Sequence, residues 1–433
     1  MLAPLLFLAA IASPPGCGPP TYDNYDNRWA LCGNKLFVLP AQSKPKWIED
    51  NLSGLPAGAW RHLAIDDFGF LWIASATKVL RLDPRFPEKG WADASIYTTE
   101  GIAKIATGPR GSLLATLTDG YFADIDLDRR PPVLKLTSNV RTLPPAWGLA
   151  ARLPGANHDL SGDVMKNKFY VAGGQTAEWG YPAVRHIFDE LLEFDGTTLR
   201  TAAKLTHPRY YNATSHLDGK VWIIGGCVRD KDWQAHDLDT VEIWDPTTQS
   251  IAPGPKLPAK IEMAAAQNIA GRIYVAGAPL GALPASPLPL YSIGPGESAW
   301  RNEPDGPPGR KNIAAVAVEG KFYVLIPDTG LSVFDPATKR WTVLNLPERA
   351  RSSQLAAHGG EIWIMGGRDI PSQSTTLIYN PKTGNSRRGP ELPRELSWGV
   401  GFSLQGKLYL AGGAGGIGSA AGRCYSNRIF RLK

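Results

Sequence analysis

Two segments of the chain combine aromatic, basic and acidic side chains in a way that suits recognition of a polar ligand. The residues concerned are Trp179, Tyr181 and Arg185 within 175–186, and Arg229, Asp230 and Trp233 within 227–236. An arginine guanidinium binds a carboxylate through two hydrogen bonds, and the face of a tryptophan or tyrosine ring stacks on a sugar. The segments therefore predict a site for an acidic or carbohydrate ligand.

A basic residue also recurs about a dozen positions before a repeated hydrophobic triplet. The positions are Arg61, Arg209 (followed by Tyr210), Lys260, Arg310, Arg349 and Arg394. If the repeats stack around an axis, these side chains form a cationic collar that would bind an anion. The alternative is structural: each cation caps nearby backbone carbonyls or pairs with a loop carboxylate.

Other kinds of chemistry find little support in the sequence. Four histidines cluster at 186, 207, 216 and 236, but neither an HxH nor an HExxH spacing is present, so we expect no metal site. A GxSxG elbow, a P-loop and a dinucleotide fingerprint are also absent, and we expect no cofactor. The net charge of +6 comes from basic residues interleaved with acids, which disfavours nucleic-acid binding.

A repeated sequence motif predicts the strands that position these residues. It is clearest at residues 218–226, which read DGKVWIIGG: an x-Gly dipeptide and a basic residue precede a hydrophobic triplet, and a diglycine ends the motif. The triplets open at Leu71, Leu113, Phe169, Val221, Ile273, Phe322, Ile362 and Leu408. Their spacing of roughly 40 to 56 residues indicates a repeat architecture. The x-Gly dipeptide suits a two-residue hairpin, so each triplet is predicted to lie in the second strand of a hairpin.

A second unit follows about twenty residues later and marks the end of a third strand. It reads WDP at 244–246, FDP at 334–336, YNP at 379–381 and LDP at 82–84. An Asx residue that bonds its own backbone, followed by proline, stops a strand at a tight turn. Trp341 then opens a fourth strand. Four strands per repeat is typical of a propeller blade.

These features resemble the kelch family, whose repeats carry a diglycine followed by spaced aromatic residues on a β-propeller. Diglycines stand at 173–174, 225–226, 366–367 and 412–413, whereas Gly277-Ala278 and Ile326-Pro327 depart from the pattern. The resemblance covers residue 34 to the C-terminus. It implies an all-β fold, a single β-propeller of four-stranded blades.

We favour eight blades, with seven as the alternative. Residues 36–40, followed by Trp47, look like a third and a fourth strand without a hairpin ahead of them, and residues 428–432 follow the last hairpin as a third strand without a fourth. An N-terminal strand that completes the last blade would close the ring and remove the open edge. The predicted organisation is a signal peptide at 1–16, a linker at 17–33 and the propeller at 34–433.

The N-terminus predicts export. Residues 2–12 form an apolar stretch followed by a Pro- and Gly-rich segment, as in a secretory signal, although a basic n-region is absent. We therefore expect a secreted, periplasmic or cell-surface protein. Acylation of Cys17 as a lipoprotein anchor is a minority alternative, and no later apolar run approaches the length of a membrane span.

The cysteines of an exported chain invite pairing. Cys32 and Cys424 each lie just ahead of an apparent third strand, so we predict a disulfide that staples the two chain ends. Cys227 follows a diglycine and is predicted to be an isolated buried thiol, because burial keeps thiols inert.

Two functions are compatible with the resemblance. The first is a monomeric, non-catalytic module that binds a glycan or a protein at the loop-lined mouth. The alternative is a cofactor-independent acidic-sugar epimerase similar to N-acetylneuraminate epimerases. Its acid/base candidates are Glu178, Asp230 and Glu262, beside Arg185, Arg209 and Arg229. Copper oxidation of the galactose oxidase type is disfavoured, because its ligand set cannot be matched here residue by residue.

Overall fold

The structure is a computed structural model. It describes residues 12–23, 27–40, 46–66, 69–94, 101–107, 113–118, 122–126, 133–137, 146–179, 184–279, 281–283, 285–309, 313–327, 329–347, 350–367, 374–393, 396–415 and 424–433. These residues are almost entirely β-strand and turn, and the described helical structure is a single 3-10 turn, Pro87–Lys89. Within the described ranges, no helix is long and apolar enough to cross a membrane.

Contacts divide the chain into two compact units. The first unit comprises Met1–Pro145, Pro154–Ala156 and Ala177–Arg185, and the second comprises Ala146–Leu153, Asn157–Thr176 and His186–Lys433. The sequence predicts one domain over 34–433, and that boundary stays a prediction.

The first unit contains three antiparallel four-stranded sheets, each with its strands in chain order. The strands are β1 (Thr21–Tyr22), β2 (Arg28–Cys32), β3 (Lys35–Leu39) and β4 (Ile48–Glu49); β5 (His62–Ile65), β6 (Leu71–Ala74), β7 (Val79–Leu82) and β8 (Ala92–Ala94); and β9 (Ile102–Thr107), β10 (Leu113–Leu117), β11 (Phe122–Asp126) and β12 (Val133–Thr137). Strands β1 and β2 lie within residues 17–33, so the prediction of a linker there is wrong. The cause is a hairpin whose Gly33 turn joins β2 to β3.

The second unit contains six four-stranded sheets and four short two-stranded ones. Its first strands are β13 (Trp147–Arg152), β14 (Ser161–Met165), β15 (Lys168–Ala172), β16 (Gln175–Trp179), β17 (Val184–Ile187), β18 (Glu190–Phe194), β19 (Leu199–Lys204), β20 (Ala213–Leu217), β21 (Lys220–Ile224), β22 (Cys227–Arg229), β23 (Ala235–Asp237), β24 (Val241–Asp245), β25 (Ser250–Pro253), β26 (Glu262–Ile269), β27 (Arg272–Ala278), β28 (Pro287–Leu288), β29 (Leu290–Ile293), β30 (Arg301–Asn302) and β31 (Gly306–Pro308).

The remaining strands complete three further four-stranded sheets and the two-stranded sheet of Ala414–Gly415 with Cys424–Tyr425. They are β32 (Ala314–Val318), β33 (Lys321–Ile326), β34 (Gly330–Asp335), β35 (Arg340–Val343), β36 (Gln354–His358), β37 (Glu361–Met365), β38 (Thr376–Tyr379), β39 (Ser386–Arg388), β40 (Val400–Leu404), β41 (Lys407–Ala411), β42 (Ala414–Gly415), β43 (Cys424–Tyr425) and β44 (Arg428–Leu432). Part of the β16–β17 hairpin, residues 177–185, belongs to the first unit.

The six sheets of the second unit form a closed ring. Their innermost strands, β14, β20, β26, β32, β36 and β40, touch one another in turn, and β40 touches β14. The described sheets do not confirm a ring of eight or of seven blades, because this cycle already closes with six. All eight predicted triplets nevertheless lie in second strands: two in the first unit and six in the ring.

The last blade is completed by a different strand from the one that the sequence predicts. Strand β13 pairs antiparallel with β44, placing Trp147 opposite Leu432 and Leu149 opposite Phe430. The predicted N-terminal strands, at residues 36–40 and beginning at Trp47, correspond to β3 and β4, which are already paired with each other in a sheet that also contains β2. The ring is therefore closed by the strand that immediately precedes its first blade.

The ring closure is packed as well as hydrogen-bonded. Phe169 of the first ring blade stacks on Phe402 of the last, with their centroids 3.6 Å apart, and Tyr409 stacks on the other side of the cluster at 5.0 Å from Phe402. Offset and stacked aromatic pairs contribute about 0.5–1.5 kcal/mol beyond their buried area. These rings hold the two ends of the six-blade cycle together.

The diglycines are joints between neighbouring blades. In all four pairs, the N–H of the second glycine donates to a carbonyl in the segment leading to the next blade, as from Gly226 to Ile261 at 2.9 Å. The four donors are Gly174, Gly226, Gly367 and Gly413. Both glycines of each pair have positive φ. In the two blades that lack a diglycine, the second strand runs on to Ala278 and Ile326.

The disulfide differs from the prediction. Cys32 bonds to Cys17, so it is not available to Cys424, and the predicted staple between chain ends is wrong. The β2–β3 hairpin holds Cys32 beside the incoming N-terminal segment, where the N–H of Gly18 donates to Leu31 O at 3.1 Å. A lipid thioether at Cys17 would compete with this disulfide for the same sulfur.

Candidate functional site

The mouth of the six-bladed ring is outlined by residues in the left-handed backbone conformation. They are Asp159, Tyr211, Met263, Ser352 and Trp398, with φ between 50° and 58°. Four stand two residues before an innermost strand, and Met263 stands at a bulge at the start of β26. A left-handed conformation costs a non-glycine residue about 1–2 kcal/mol, so five such residues at equivalent places need a compensating interaction.

Backbone hydrogen bonds between blades supply that compensation. The N–H of Trp398 donates to Ser352 O at 3.2 Å, and the N–H of Asp159 donates to Trp398 O at 3.0 Å. The chain of bonds continues from Tyr211 N–H to Asp159 O at 2.9 Å and from Ala264 N–H to Tyr211 O at 3.1 Å. The left-handed turn aims each carbonyl at the next blade, and this belt of bonds fixes the geometry of the mouth.

The five residues surround a cavity of about 260 Å³ between the innermost strands. Much of its wall consists of alanine and glycine, which leave room near the axis where six strands converge. Its polar lining includes Ser161, Asn212, Thr214, Gln267, Ser353 and Ser403. Asp159 and Asp163 are the charged residues of this lining, and among described residues no lysine or arginine joins them.

Asp159 is held firmly at the mouth. Its side chain is 2% exposed, with Oδ2 lying 2.7 Å from His158 Nδ1 and accepting a hydrogen bond from Gln175 Nε2 at 2.9 Å. Burial and the adjacent Asp159 carboxylate raise the pKa of Tyr211, which stays a neutral hydrogen-bonding phenol. His158 stacks on Tyr425, with centroids 4.4 Å apart. The carboxylate is therefore oriented before any ligand arrives.

Deeper in the cavity, side chains link the first two ring blades. Asp163 on β14 lies 2.7 Å from Nδ1 of His216 on β20, and this hydrogen bond raises the pKa of His216. The hydroxyls of Ser161 and Thr214 lie 2.6 Å apart across the same boundary. Asn212 Nδ2 also donates to Ser161 at 2.6 Å. These groups form a preorganised polar wall.

Arg209 pairs with a buried carboxylate and caps backbone carbonyls rather than facing the cavity. It is fully buried, and its guanidinium pairs with Glu242 and donates to Gly225 O at 3.1 Å and to Thr240 O at 3.4 Å. The carbonyls belong to the diglycine and to the residue that precedes β24. Of the two interpretations of the recurring basic residue, the capping one describes Arg209, so this side chain is not available to a ligand.

Four predicted site residues do come together at the β22–β23 hairpin. Arg229 lies over the rings of Tyr210 and Trp233, at 5.4 Å and 5.9 Å from their centroids. Its Nη1 also donates to Trp233 O at 2.7 Å. Asp230 accepts from His236 at 2.8 Å, and this hydrogen bond lowers the pKa of Asp230. Tyr210 is buried, while Trp233 is exposed.

The described lining of the cavity contains none of the other predicted site residues. Arg61 precedes β5 and Arg185 lies in β17; both are exposed and belong to the first unit. Tyr181, Arg310, Arg349 and Arg394 lie outside the described residues, as do the side chains of Glu178 and Trp179. Their predicted roles stay predictions.

Sequence reasoning missed the ring of left-handed residues. Their types differ from blade to blade, so no repeated letter marks them. Four of them share a position two residues before the first strand of a repeat, and the fifth, Met263, stands at the bulge that opens β26.

Comparison with known proteins agrees with this architecture. A family model described as "Kelch motif" matches residues 208–256, which include the blade β20–β25. "Kelch-like protein 35" of Mus musculus is 26% identical over 259 residues, covering 57% of this chain. "Kelch repeat and BTB domain-containing protein 12" of Homo sapiens is 27% identical over 126 residues, covering 26% of this chain.

The chain carries a kelch motif at residues 208–256 and is similar to kelch-repeat proteins.

The kelch chain aligns with less than half of the length of these relatives: 42% of the mouse protein and 20% of the human one. A solved structure titled "Structure of YjhT" has a similar fold, with a TM-score of 0.54 at 12% identity. The alignment covers 65% of the kelch chain and 97% of that structure. A kelch propeller of this kind supports a general role in binding or interaction.

Proposed function

We propose that the kelch propeller binds a neutral, hydroxyl-rich ligand, such as a glycan, at the mouth of its six-bladed ring. The observation that carries the proposal is the lining of the cavity: hydroxyls, amides and two carboxylates, with Tyr211 and Trp398 at the rim. Sugars offer hydroxyls to such polar groups and apolar C–H faces to aromatic rings. The fixed backbone belt means that little ordering is needed on binding.

An acidic ligand has less support at this cavity. A carboxylate entering it would face Asp159 and Asp163, and the described lining offers no guanidinium or ammonium to pair with it. Arg209 is committed to Glu242. The acidic-sugar epimerase alternative therefore draws no support from the described mouth.

A cavity-filling variant tests the site. Ala265 lines the cavity, and A265L would place three additional carbons in it, whereas Ala337 is exposed in the β34–β35 turn and A337L is the matched control. Saturation-transfer NMR and titration of the full chain with panels of neutral and acidic sugars would measure binding. We expect A265L to weaken neutral-sugar binding at least tenfold, while A337L binds like wild type.

Two results would contradict the proposal: undiminished sugar binding by A265L, or selective binding of acidic sugars by the wild-type chain. If no sugar binds and the chain instead captures a protein, the ligand of the mouth would be a protein and the glycan proposal would be wrong. The same NMR samples in deuterated water also report catalysis, because faster anomer equilibration or deuterium incorporation would identify an epimerase or mutarotase.

We also propose that the protein is exported. The bond between Cys17 and Cys32 supports this, since disulfides persist mainly in oxidising compartments. We expect mass spectrometry of the protein from its native host to show cleavage near Gly16. The mass of the mature chain should be lower than that of the reduced chain by two hydrogen atoms, as the disulfide requires. An intact N-terminus with reduced Cys17 and Cys32 would overturn export, and an acyl adduct on Cys17 would replace the disulfide by a lipid anchor.

A further inference from the structure

Three side chains with metal-binding atoms converge at the boundary between the second and third ring blades. Their candidate ligand atoms, in Cys227, Asp237 and Glu262, all lie within 4.8 Å of one another. All three residues are buried, at 0%, 9% and 4% exposure. None of them lines the central cavity, so this cluster is separate from the proposed ligand site.

The strand pairing explains why these distant residues meet. Cys227 and Asp237 are direct cross-strand partners in the β22–β23 hairpin. An isolated bridge between Leu238 and Ile261 then brings the residue before β26 alongside the residue after β23. Glu262 is consequently delivered next to Asp237 from the following blade. The convergence is fixed by backbone pairing on both sides rather than by flexible side chains.

Tyr210 lies beside this cluster. It pairs with Cys227 through an isolated backbone bridge and is 1% exposed. One thiol and two carboxyl groups from two neighbouring blades are therefore held together in a buried place, with the tyrosine as their neighbour.

We propose that Cys227, Asp237 and Glu262 form a binding site for one divalent metal ion of the Zn²⁺ class. A thiolate and two carboxylates placed together in a buried location repel one another when ionised, and a divalent cation relieves that repulsion. Thiolate is a ligand for Zn²⁺ rather than for Mg²⁺ or Ca²⁺, which take oxygen ligands.

The geometry is within reach of a tetrahedral site. Zinc–sulfur and zinc–oxygen bonds of about 2.3 Å and 2.0–2.2 Å hold neighbouring ligand atoms roughly 3.5 Å apart, so the widest pair would close by roughly 1 Å. Such an ion would join the hairpin of one blade to the first strand of the next. It would thereby tie together two blades beside Met263 at the mouth.

The first experiment uses the full chain, stripped with a chelator and then titrated with Zn²⁺ and with Co²⁺. We expect one equivalent of Zn²⁺ to bind and the Co²⁺ form to show the intense absorption of a thiolate-bound tetrahedral ion. Absence of stoichiometric binding in the unmodified chain, or Co²⁺ spectra without a thiolate band, would overturn the proposal whatever the variants do.

Variants then assign the ligands. C227S should abolish the thiolate band, and both C227S and E262Q should weaken Zn²⁺ binding at least 100-fold. The matched control is D230N, which removes an exposed carboxylate from the same hairpin and should bind Zn²⁺ like wild type. Circular dichroism checks that each variant is folded. Wild-type Zn²⁺ affinity in folded C227S or E262Q would refute the assignment. So would a loss of Zn²⁺ affinity that occurs in D230N alone.

Discussion

Replacement of Arg209 by methionine should strongly destabilise the ring. Arg209 is fully buried, and its partner Glu242 is 5% exposed. The guanidinium also donates to two backbone carbonyls, so R209M leaves a buried carboxylate without its cation and Gly225 O without this donor, whereas Thr240 O keeps the N–H of Gly225. Removing one partner of a buried ion pair typically costs about 3–5 kcal/mol, and we expect the unfolding free energy to fall by that amount.

An exposed ion pair provides the control. Arg387 donates from both terminal nitrogens to Glu361 at 2.7 Å, but its side chain is 56% exposed. Because solvent screens such a pair, R387M should cost no more than about 1 kcal/mol. The two variants make the same chemical change and differ in burial.

A double variant separates the ion pair from packing. In R209M/E242M both charges are gone, so the cost of a lone buried carboxylate disappears. The N–H of Thr206, which donates to Glu242 at 2.7 Å, loses its acceptor, and this leaves a deficit of roughly 1 kcal/mol. We therefore expect the double variant to be more stable than R209M alone.

The assay is urea unfolding of the full chain, followed by tryptophan fluorescence and by circular dichroism. Trp244, at the end of the strand that carries Glu242, is fully buried and reports on this blade. A loss below about 1 kcal/mol in R209M would refute the assignment of Arg209 as a buried structural cation. So would a double variant less stable than R209M.

Two further predictions concern a diglycine and a histidine. G366A should cost at least about 2 kcal/mol in urea unfolding, because φ is 62° and the new Cβ would collide with the backbone of the next loop. G384A, with φ of 73° and open space around it, should lose only about 1 kcal/mol, and equal losses would refute the steric argument. Because the hydrogen bond to Asp163 raises the folded-state pKa of His216, the pair's stabilisation is fully present below about pH 6.5 and is lost as pH rises through the higher folded pKa. The stability difference between wild type and H216N should therefore shrink between about pH 6 and 8, and a difference that grows would refute this.

The strand pattern was predictable because it depends on local rules. A hairpin turn needs positive φ, and Asp218 and Gly219 before β21 have φ of 51° and 73°. The stop signal is equally local: Asp245 accepts from the N–H of Thr247 at 2.8 Å. Such short-range hydrogen bonds leave a mark in neighbouring residues, so all eight second strands were found.

Ring closure and the disulfide were not predictable in the same way. The sequence predicts that an N-terminal strand completes the last blade, whereas β13 pairs with β44, because the N-terminal strands are already paired in their own sheet. Likewise, the offset of Cys32 from its strand matches that of Cys424, but sequence offsets do not report distance. Residue 17 is close because the N-terminal segment pairs with the β2–β3 hairpin.

At the candidate site, too, features that depend on neighbouring residues were predictable, whereas features that depend on contacts between distant residues were not. The recurring basic residue was found, but its burial and pairing with Glu242 depend on β24 of the same sheet. The three-residue cluster around Cys227 escaped detection because its members lie ten and twenty-five residues apart, in no known ligand spacing. They meet only because one hairpin is bridged to the following blade.

The two kinds of backbone joint in the ring constrain evolution differently. At the diglycines, the space for a side chain is occupied by neighbouring backbone or side-chain atoms, so only glycine fits. At the mouth, four left-handed residues, Asp159, Tyr211, Ser352 and Trp398, use their backbone for the belt and also line the cavity. The belt places no demand on side-chain type, which is why aspartate, tyrosine, serine and tryptophan all occupy it. Ligand preference can therefore change at these positions while the hydrogen bonds that join the blades are retained.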